Sequence, residues 1–150
     1  VSIAQQRYKG FTPYKMDPKF RVSIPTAWRP EAGAPLFLLF STAHQMPLVK
    51  VLTQEAFDAR VKVLNDSDYS PARKSALLGS LSMLSREATL NDQGKLLIPK
   101  DLSEKAEIFA DSEVMLAGRG MHFEIWSKEN FDRALEIEMQ QCEDDDLGIL

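Results

Sequence analysis

The chain has one cysteine, Cys142, in 150 residues. A single thiol excludes an intrachain disulfide framework and fits a reducing cytoplasm. Long apolar runs are missing as well. The longest, residues 34–40, is broken by Pro35 and falls far short of the about 20 residues that cross a bilayer. No basic-then-apolar leader opens the chain, so neither export nor a membrane partner is expected. Histidine is scarce: His44 and His122 have no partner at metal-ligand spacing, so no metal or cofactor is expected and both read as loop or satisfied core residues. No serine stands in a G-x-S-x-G elbow, and no glycine-rich phosphate loop is present. Cys142 lies beside an acidic run, a poor setting for a nucleophile. With no catalytic constellation and no small-molecule substrate site, the chain reads as a non-enzyme.

An overall excess of positive charge is also absent. Lys and Arg number 18 against 22 Asp and Glu, a net charge of −4, which in bulk counts against nucleic acid as a partner. The average conceals a partition. Residues 1–30 hold Arg7, Lys9, Lys15, Lys19, Arg21 and Arg29 against Asp17 alone. The acids gather at the other end, in Glu136, Glu138, Glu143, Asp144, Asp145 and Asp146. Such asymmetry says more about partners than the net charge does.

Hydrophobic periodicity and turn residues predict a mixed α and β chain. Residues 9–16 and 21–24 read as strands around a turn at Asp17-Pro18. Pro25 closes the second strand and opens a short helix ending near Gly33. Residues 36–40 and 48–52 read as strands, and Thr53 caps a helix with Phe57, Val61 and Leu64 on one face. Pro71 starts a helix whose buried stripe is expected to be Leu77, Leu78, Leu81 and Leu84. Residues 85–90 and 95–98 form strands around Asp92-Gln93-Gly94, and a short helix covers 100–107. Strands at 114–117 and 122–126 follow, with Phe123 and Trp126 as core residues. Ser127 caps a last helix carrying Phe131 and Leu135, and the acidic stretch past Met139 is expected to fray or be disordered.

Much of this is written twice. MDPKFRVSIP at 16–25 returns as LNDQGKLLIP at 90–99, and LVKVLTQEAFDARV at 48–61 falls on HFEIWSKENFDRAL at 122–135 with the same offset and no gap. Ile24 meets Ile98, Pro25 meets Pro99, Phe57 meets Phe131 and Asp58 meets Asp132. A shared period across so many elements indicates two copies of one small unit, each too short to bury an adequate core alone. The cations align too. Arg21 meets Lys95, and Lys19 precedes Arg21 by two residues, on the same face of an extended strand. Arginine on a protruding hairpin can read guanine and lysine can neutralise phosphate; equally, such charges protect a strand edge.

YKGFTPYKMDPKFRVSIP at 8–25 and VMLAGRGMHFEIWS at 114–127 resemble the two motifs of the MraZ family of bacterial transcriptional regulators, and the likeness runs from about Arg7 to Gln141. The resemblance implies an α+β fold, a tandem SpoVT-AbrB-like (swapped-hairpin) β-barrel with flanking short helices. It places a first repeat at 7–64, a linker and bridging helix at 65–84, a second repeat at 85–138 and an acidic tail at 139–150. It implies a closed homo-oligomeric ring that binds double-stranded DNA with short tandem repeats, acting as a repressor of the division and cell-wall gene cluster in the cytoplasm, on the nucleoid. Lys19 and Arg21 fall on the first motif's DNA-reading residues and Lys95 on the second motif's arginine; Lys15 and Gln93 complete the expected DNA-binding set. The family's glycine between the two cations is Phe20 here, so the first loop is expected either to leave the positive-φ conformation or to use Phe20 as an apolar contact. Lys95 lacks the arginine fork, which suits the second motif to holding phosphate. The alternative is a ring-forming scaffold or antitoxin-like interaction protein with weakened DNA binding.

Overall fold

The computed structural model describes residues 7–150. In chain order these form β1 (Phe11–Lys15), β2 (Arg21–Ser23), β3 (Leu36–Ala43), β4 (Met46–Thr53), α1 (Gln54–Asn65), α2 (Pro71–Leu84), β5 (Ser85–Ala88), β6 (Lys95–Leu97), α3 (Lys100–Lys105), β7 (Glu113–Gly118), β8 (Phe123–Ser127) and α4 (Lys128–Gln141). The helix expected after Pro25 is only a 3-10 turn, Thr26–Trp28. Pro30 is the cause: a residue preceding proline is driven out of the helical region, and Arg29 is extended, with φ −75° and ψ 131°.

The class is α+β, as expected. Six strands make one antiparallel sheet in the order β1-β7-β8-β4-β3-β5, and β2 pairs with β6 in a separate ribbon. β1 and β5, the outer strands, do not pair with each other, so the sheet is open and not the closed barrel that the resemblance implied. The ribbon breaks the continuity that closure needs. Asp17 turns the chain out of β1 into β2, and Val22 and Leu96 bury completely in the main core.

The halves of the chain interlock. β1 pairs with β7, β2 with β6, β3 with β5 and β4 with β8. Every residue of β7 from Val114 to Ala117, and of β8 from Phe123 to Trp126, is buried. Alternation sends Val114, Leu116, Phe123 and Ile125 to the main core with Trp28, Ile24 and Ile98. It sends Met115, Ala117 and Trp126 to the other face, against Phe131 and Ala134 of α4. Tyr8 anchors the start of the described chain: its N–H donates to the Gly120 carbonyl at 3.1 Å, and its ring lies against Trp28 and Phe123.

Two helices begin the same way, 74 positions apart. Thr53 Oγ1 accepts from the Ala56 N–H at 3.1 Å and Ser127 Oγ from the Asn130 N–H at 3.1 Å. These caps satisfy donors that a helix start leaves unpaired. α2 departs from expectation. None of its residues is buried; Leu78 and Leu81 are half-covered, and Leu77 and Leu84 are exposed. Its four leucines lie nearly in line while its other apolar residues are spread around the axis, and its main contacts within one chain are with α1 and β3.

Candidate nucleic-acid interface

Two turns of the same construction lie at the two ends of the β2–β6 ribbon. Asp17 opens the first and Asn91 the second. The Asp17 Oδ1 accepts from the N–H groups of Lys19 at 2.8 Å and Arg21 at 2.9 Å. The Asn91 Oδ1 accepts from Gln93 at 2.9 Å and Lys95 at 3.0 Å. Main-chain bonds repeat as well: Phe20 N–H donates to the Asp17 carbonyl at 3.1 Å, and Gly94 N–H to the Asn91 carbonyl at 2.9 Å. Asp and Asn suit this role because their short side chains mimic a backbone turn. The turns also hold each other: Ile24 N–H donates to the Gly94 carbonyl at 3.1 Å, and Ile98 N–H to the Phe20 carbonyl at 2.9 Å.

Phe20 does not avoid the family glycine's conformation. Its φ is +61°, beside +75° for Gly94. A bulky residue in this region is strained. The three hydrogen bonds of the turn and the packing of the Phe20 ring on the main core hold it there. The second half of the expectation, an apolar contact, is realised inward, toward the core.

The ribbon's register is Arg21 opposite Leu97, Val22 opposite Leu96 and Ser23 opposite Lys95. Period-two alternation therefore puts Arg21, Ser23, Lys95 and Leu97 on one outer face, about the Val22–Leu96 pair. Arg21 and Lys95 are half-buried, while Lys19 and Gln93 are exposed at the turn tips. Lys15 lies apart, at the end of β1 opposite Glu113. Leu97 is 55% exposed between the cations, and Ser23 donates its hydroxyl to the Tyr14 hydroxyl at 3.2 Å.

Arg21 is aimed by its own turn: Nε donates to Asp17 Oδ2 at 2.8 Å. Its terminal nitrogens have no partner among the described residues, leaving a planar fork of the kind that matches guanine or phosphate. Burial pushes the Asp17 carboxyl up, but the Arg21 and Lys19 amides and the Arg21 guanidinium outweigh it and hold the group below its usual range. Lys95 has a neutral Asn91 where Arg21 has a carboxylate, and it has no ion pair among the described residues.

Arg29 is the residue that sequence reasoning passed over. Its Nε donates to the Ile24 carbonyl at 2.8 Å, and its guanidinium lies over Gly94 so closely that a Cβ there would collide with it. Glycine thus suits the second turn in two ways: it takes without strain the left-handed φ that Phe20 holds under strain, and it leaves room for the arginine above it. The 74-residue offset puts the small, buried Ser103 at the place of Arg29 in the other half. That offset was the only signal in the sequence.

A profile described as "MraZ protein, putative antitoxin-like" matches residues 83–146. Among curated proteins, the chain is 31% identical over 137 residues to the transcriptional regulator MraZ of Coxiella burnetii (strain Dugway 5J108-111), covering 86% of this chain and 85% of that protein. It is 28% identical over 152 residues to the protein of the same name from Ruegeria sp. (strain TM1040), covering 92% and 86%. The namesake from Mycoplasmopsis pulmonis (strain UAB CTIP) is 32% identical over 120 residues, covering 78% and 76%. These names are those of a regulator, not of an enzyme.

Proposed function

The chain belongs to the MraZ family, and from that premise we propose that it is a sequence-specific, DNA-binding transcriptional regulator acting as a ring-shaped homo-oligomer on short tandem repeats. One observation carries the reading: two turns of the same hydrogen-bond pattern place Arg21 and Lys95 on one outer face of a two-stranded ribbon. A two-stranded ribbon is one of the elements that a DNA major groove admits. Arg21, with its fork held by Asp17, is the base reader. Lys95, Lys19 and Lys15 supply phosphate contacts, and Gln93 a polar one at the second turn. Only this face has to be basic, so a net-acidic chain is compatible with a polyanionic partner. In this reading residues 7–64 and 85–138 are the two SpoVT-AbrB-like units, joined by 65–84, and the protein works in the cytoplasm, on the nucleoid, as a repressor of the division and cell-wall gene cluster.

A motif with two or three cations binds DNA loosely, and several chains on repeated sites gain through effective concentration. α2 supports assembly. A 14-residue helix with no buried residue is marginal in water by itself, and Met83, 74% exposed, and Leu84 lie at its end. The test is gel-shift binding to the DNA upstream of the protein's own gene, beside its solution mass. Salt-sensitive binding to tandem repeats, much weaker on one repeat, is expected. Equal binding to scrambled DNA at moderate salt overturns the reading.

A further inference from the structure

On the helical face of the sheet, α1 and the β7–β8 turn enclose a groove of about 670 Å³. Its walls are apolar, with Leu52, Val63, Leu64, Tyr69 and Met121, and its charged lining is entirely basic: Arg60 and Arg119. Lys50 shares a strand face with Leu52 and lies opposite Glu124 in the sheet. The local charges do not balance. Arg119 spends Nε on Glu124 at 3.0 Å and both terminal nitrogens on Glu138 at 2.7 and 2.8 Å. Glu124 also accepts from Trp126 Nε1 at 3.0 Å and sits 3.3 Å from His122 Nε2. Lys50 and Arg60, both half-buried, have no ion-pair partner among the described residues. Burial and their mutual repulsion depress the Lys50 ammonium, and burial depresses the Arg60 guanidinium. An anion with an apolar extension would relieve both.

The chain carries such a segment. Glu143, Asp144, Asp145 and Asp146 are followed by Leu147, Ile149 and Leu150, each three-quarters or more exposed. The segment is folded on itself, with Leu150 N–H donating to Asp145 Oδ2 at 2.8 Å and Gly148 N–H to the Asp145 carbonyl at 3.1 Å. None of its residues lines the groove of its own chain, and its apolar side chains lie in solvent. We propose that this groove receives residues 143–150 of a neighbouring copy, the carboxylates meeting Arg60 and Lys50 and the leucines and isoleucine entering the apolar wall. Groove and segment are different surfaces of one chain, so the contact is heterologous and repeats head to tail, the kind of contact that closes a ring. The inference rests on the ring reading and adds the surfaces that build it.

The test is solution mass without DNA, read by light scattering against protein concentration. Arg60→Glu, and separately Asp144→Lys with Asp146→Lys, should each raise the concentration of half-dissociation by about tenfold or more. Combining the two on one chain should restore much of the loss. A wild-type chain that stays monomeric overturns the ring reading itself. A wild-type oligomer that both variants leave unchanged overturns this inference alone. A second measurement does not depend on charge: in a Cys142→Ser background, Val63→Cys with Ile149→Cys is oxidised and run without reductant. A ladder of covalent multimers supports exchange between copies. A closed monomer band, meaning the segment occupies its own groove, overturns it, and so does the absence of crosslinking.

Discussion

Phe20 and Gly94 hold the same left-handed backbone position in the two turns of one ribbon, with φ of +61° and +75°. Each offers its carbonyl to the isoleucine N–H of the opposite strand, Ile98 and Ile24. The backbone pattern is thus kept while the side chains above it differ. Phe20 turns into the core, and Arg29 lies flat over Gly94.

Gly94→Ala is therefore expected to cost about 2 kcal/mol: roughly 1 for the left-handed backbone and about 1 for displacing Arg29 from the Ile24 carbonyl. In an Arg29→Ala background the second part should vanish, leaving about 1 kcal/mol. A double-mutant cycle by urea unfolding measures this. Equal costs in the two backgrounds would show that Arg29 does not constrain Gly94.

Phe20→Gly sets two effects against each other. Relief of the left-handed strain returns ~1 kcal/mol, and loss of a half-buried aromatic ring costs about 2. A net loss of about 1 kcal/mol, seen as a fall of a few degrees in Tm, is expected. A gain in Tm would mean that the ring's packing contributes little.

The turns were legible in the sequence because their residue types are forced. Asp17-Pro18 and Gln93-Gly94 mark the turns, Pro25 and Pro99 stop the strands, and Ile24 and Ile98 bury; Asn91, which caps the second turn, stands one residue before the Asp92-Gln93-Gly94 turn expected from the sequence. The helix caps at Thr53 and Ser127 were legible for the same reason. Which strand pairs with which was not, because β2 and β6 have three residues each and local alternation names no partner. The φ of Phe20 was not legible for a related reason: side-chain preference disfavours it, and the turn's hydrogen bonds decide it. The leucines of α2 looked like a core stripe, but four leucines nearly in line do not show whether the covering surface belongs to the same chain. Arg29 and the ion-pair chain around Glu124 depend on contacts between distant residues, which periodicity does not report.

Arg21 and Lys95 should separate by the character of their DNA effects. Arg21→Ala is expected to lose ~1–3 kcal/mol per site and to relax discrimination at one base position. Lys95→Ala should weaken all sequences evenly and lower the salt slope by about 1 per occupied site. Asp17→Asn keeps the turn's acceptor, as Asn91 does, but removes the charge that aims Arg21. It should raise non-specific affinity and reduce discrimination. Binding titrations over a salt series on cognate and mutated repeats distinguish these outcomes, and identical profiles for the three variants would remove the proposed division of labour.

Met83→Ser with Leu84→Ser tests whether α2 is covered by another chain. Both side chains are exposed within one copy, so the unfolding free energy of a dissociated chain should change by less than about 0.5 kcal/mol. Association should weaken by roughly tenfold or more, since burying each such side chain contributes about 1.5–3 kcal/mol. Sedimentation across a concentration series reads both. An unchanged mass distribution would place the interface elsewhere.

The chain His122–Glu124–Arg119–Glu138 fastens the β7–β8 turn to α4 and should give the fold an acid-sensitive part. Burial pushes the Glu124 carboxyl up, but hydrogen bonds from His122, Trp126 and Arg119 outweigh it and hold it at about 2, against an ordinary 4.5. Glu138 is lowered in the same direction, chiefly by its bonds from Arg119. A carboxyl whose folded pKa is depressed stabilises the fold above its unfolded pKa, and that contribution is lost as pH falls toward the folded value. The window for Glu124 therefore runs from about pH 4.5 down to about pH 2, and the shift corresponds to about 3 kcal/mol. Glu124→Gln keeps an acceptor for Trp126 but not the charge, so it should be less stable than the parent by about that amount at pH 7. The gap should narrow steadily as the parent's carboxylate is protonated and nearly close by about pH 2. Urea midpoints for both proteins at pH 7, 4, 3 and 2 measure it. A gap that stays constant through this range would show that packing around Glu124, and not its charge, fastens the turn to the helix.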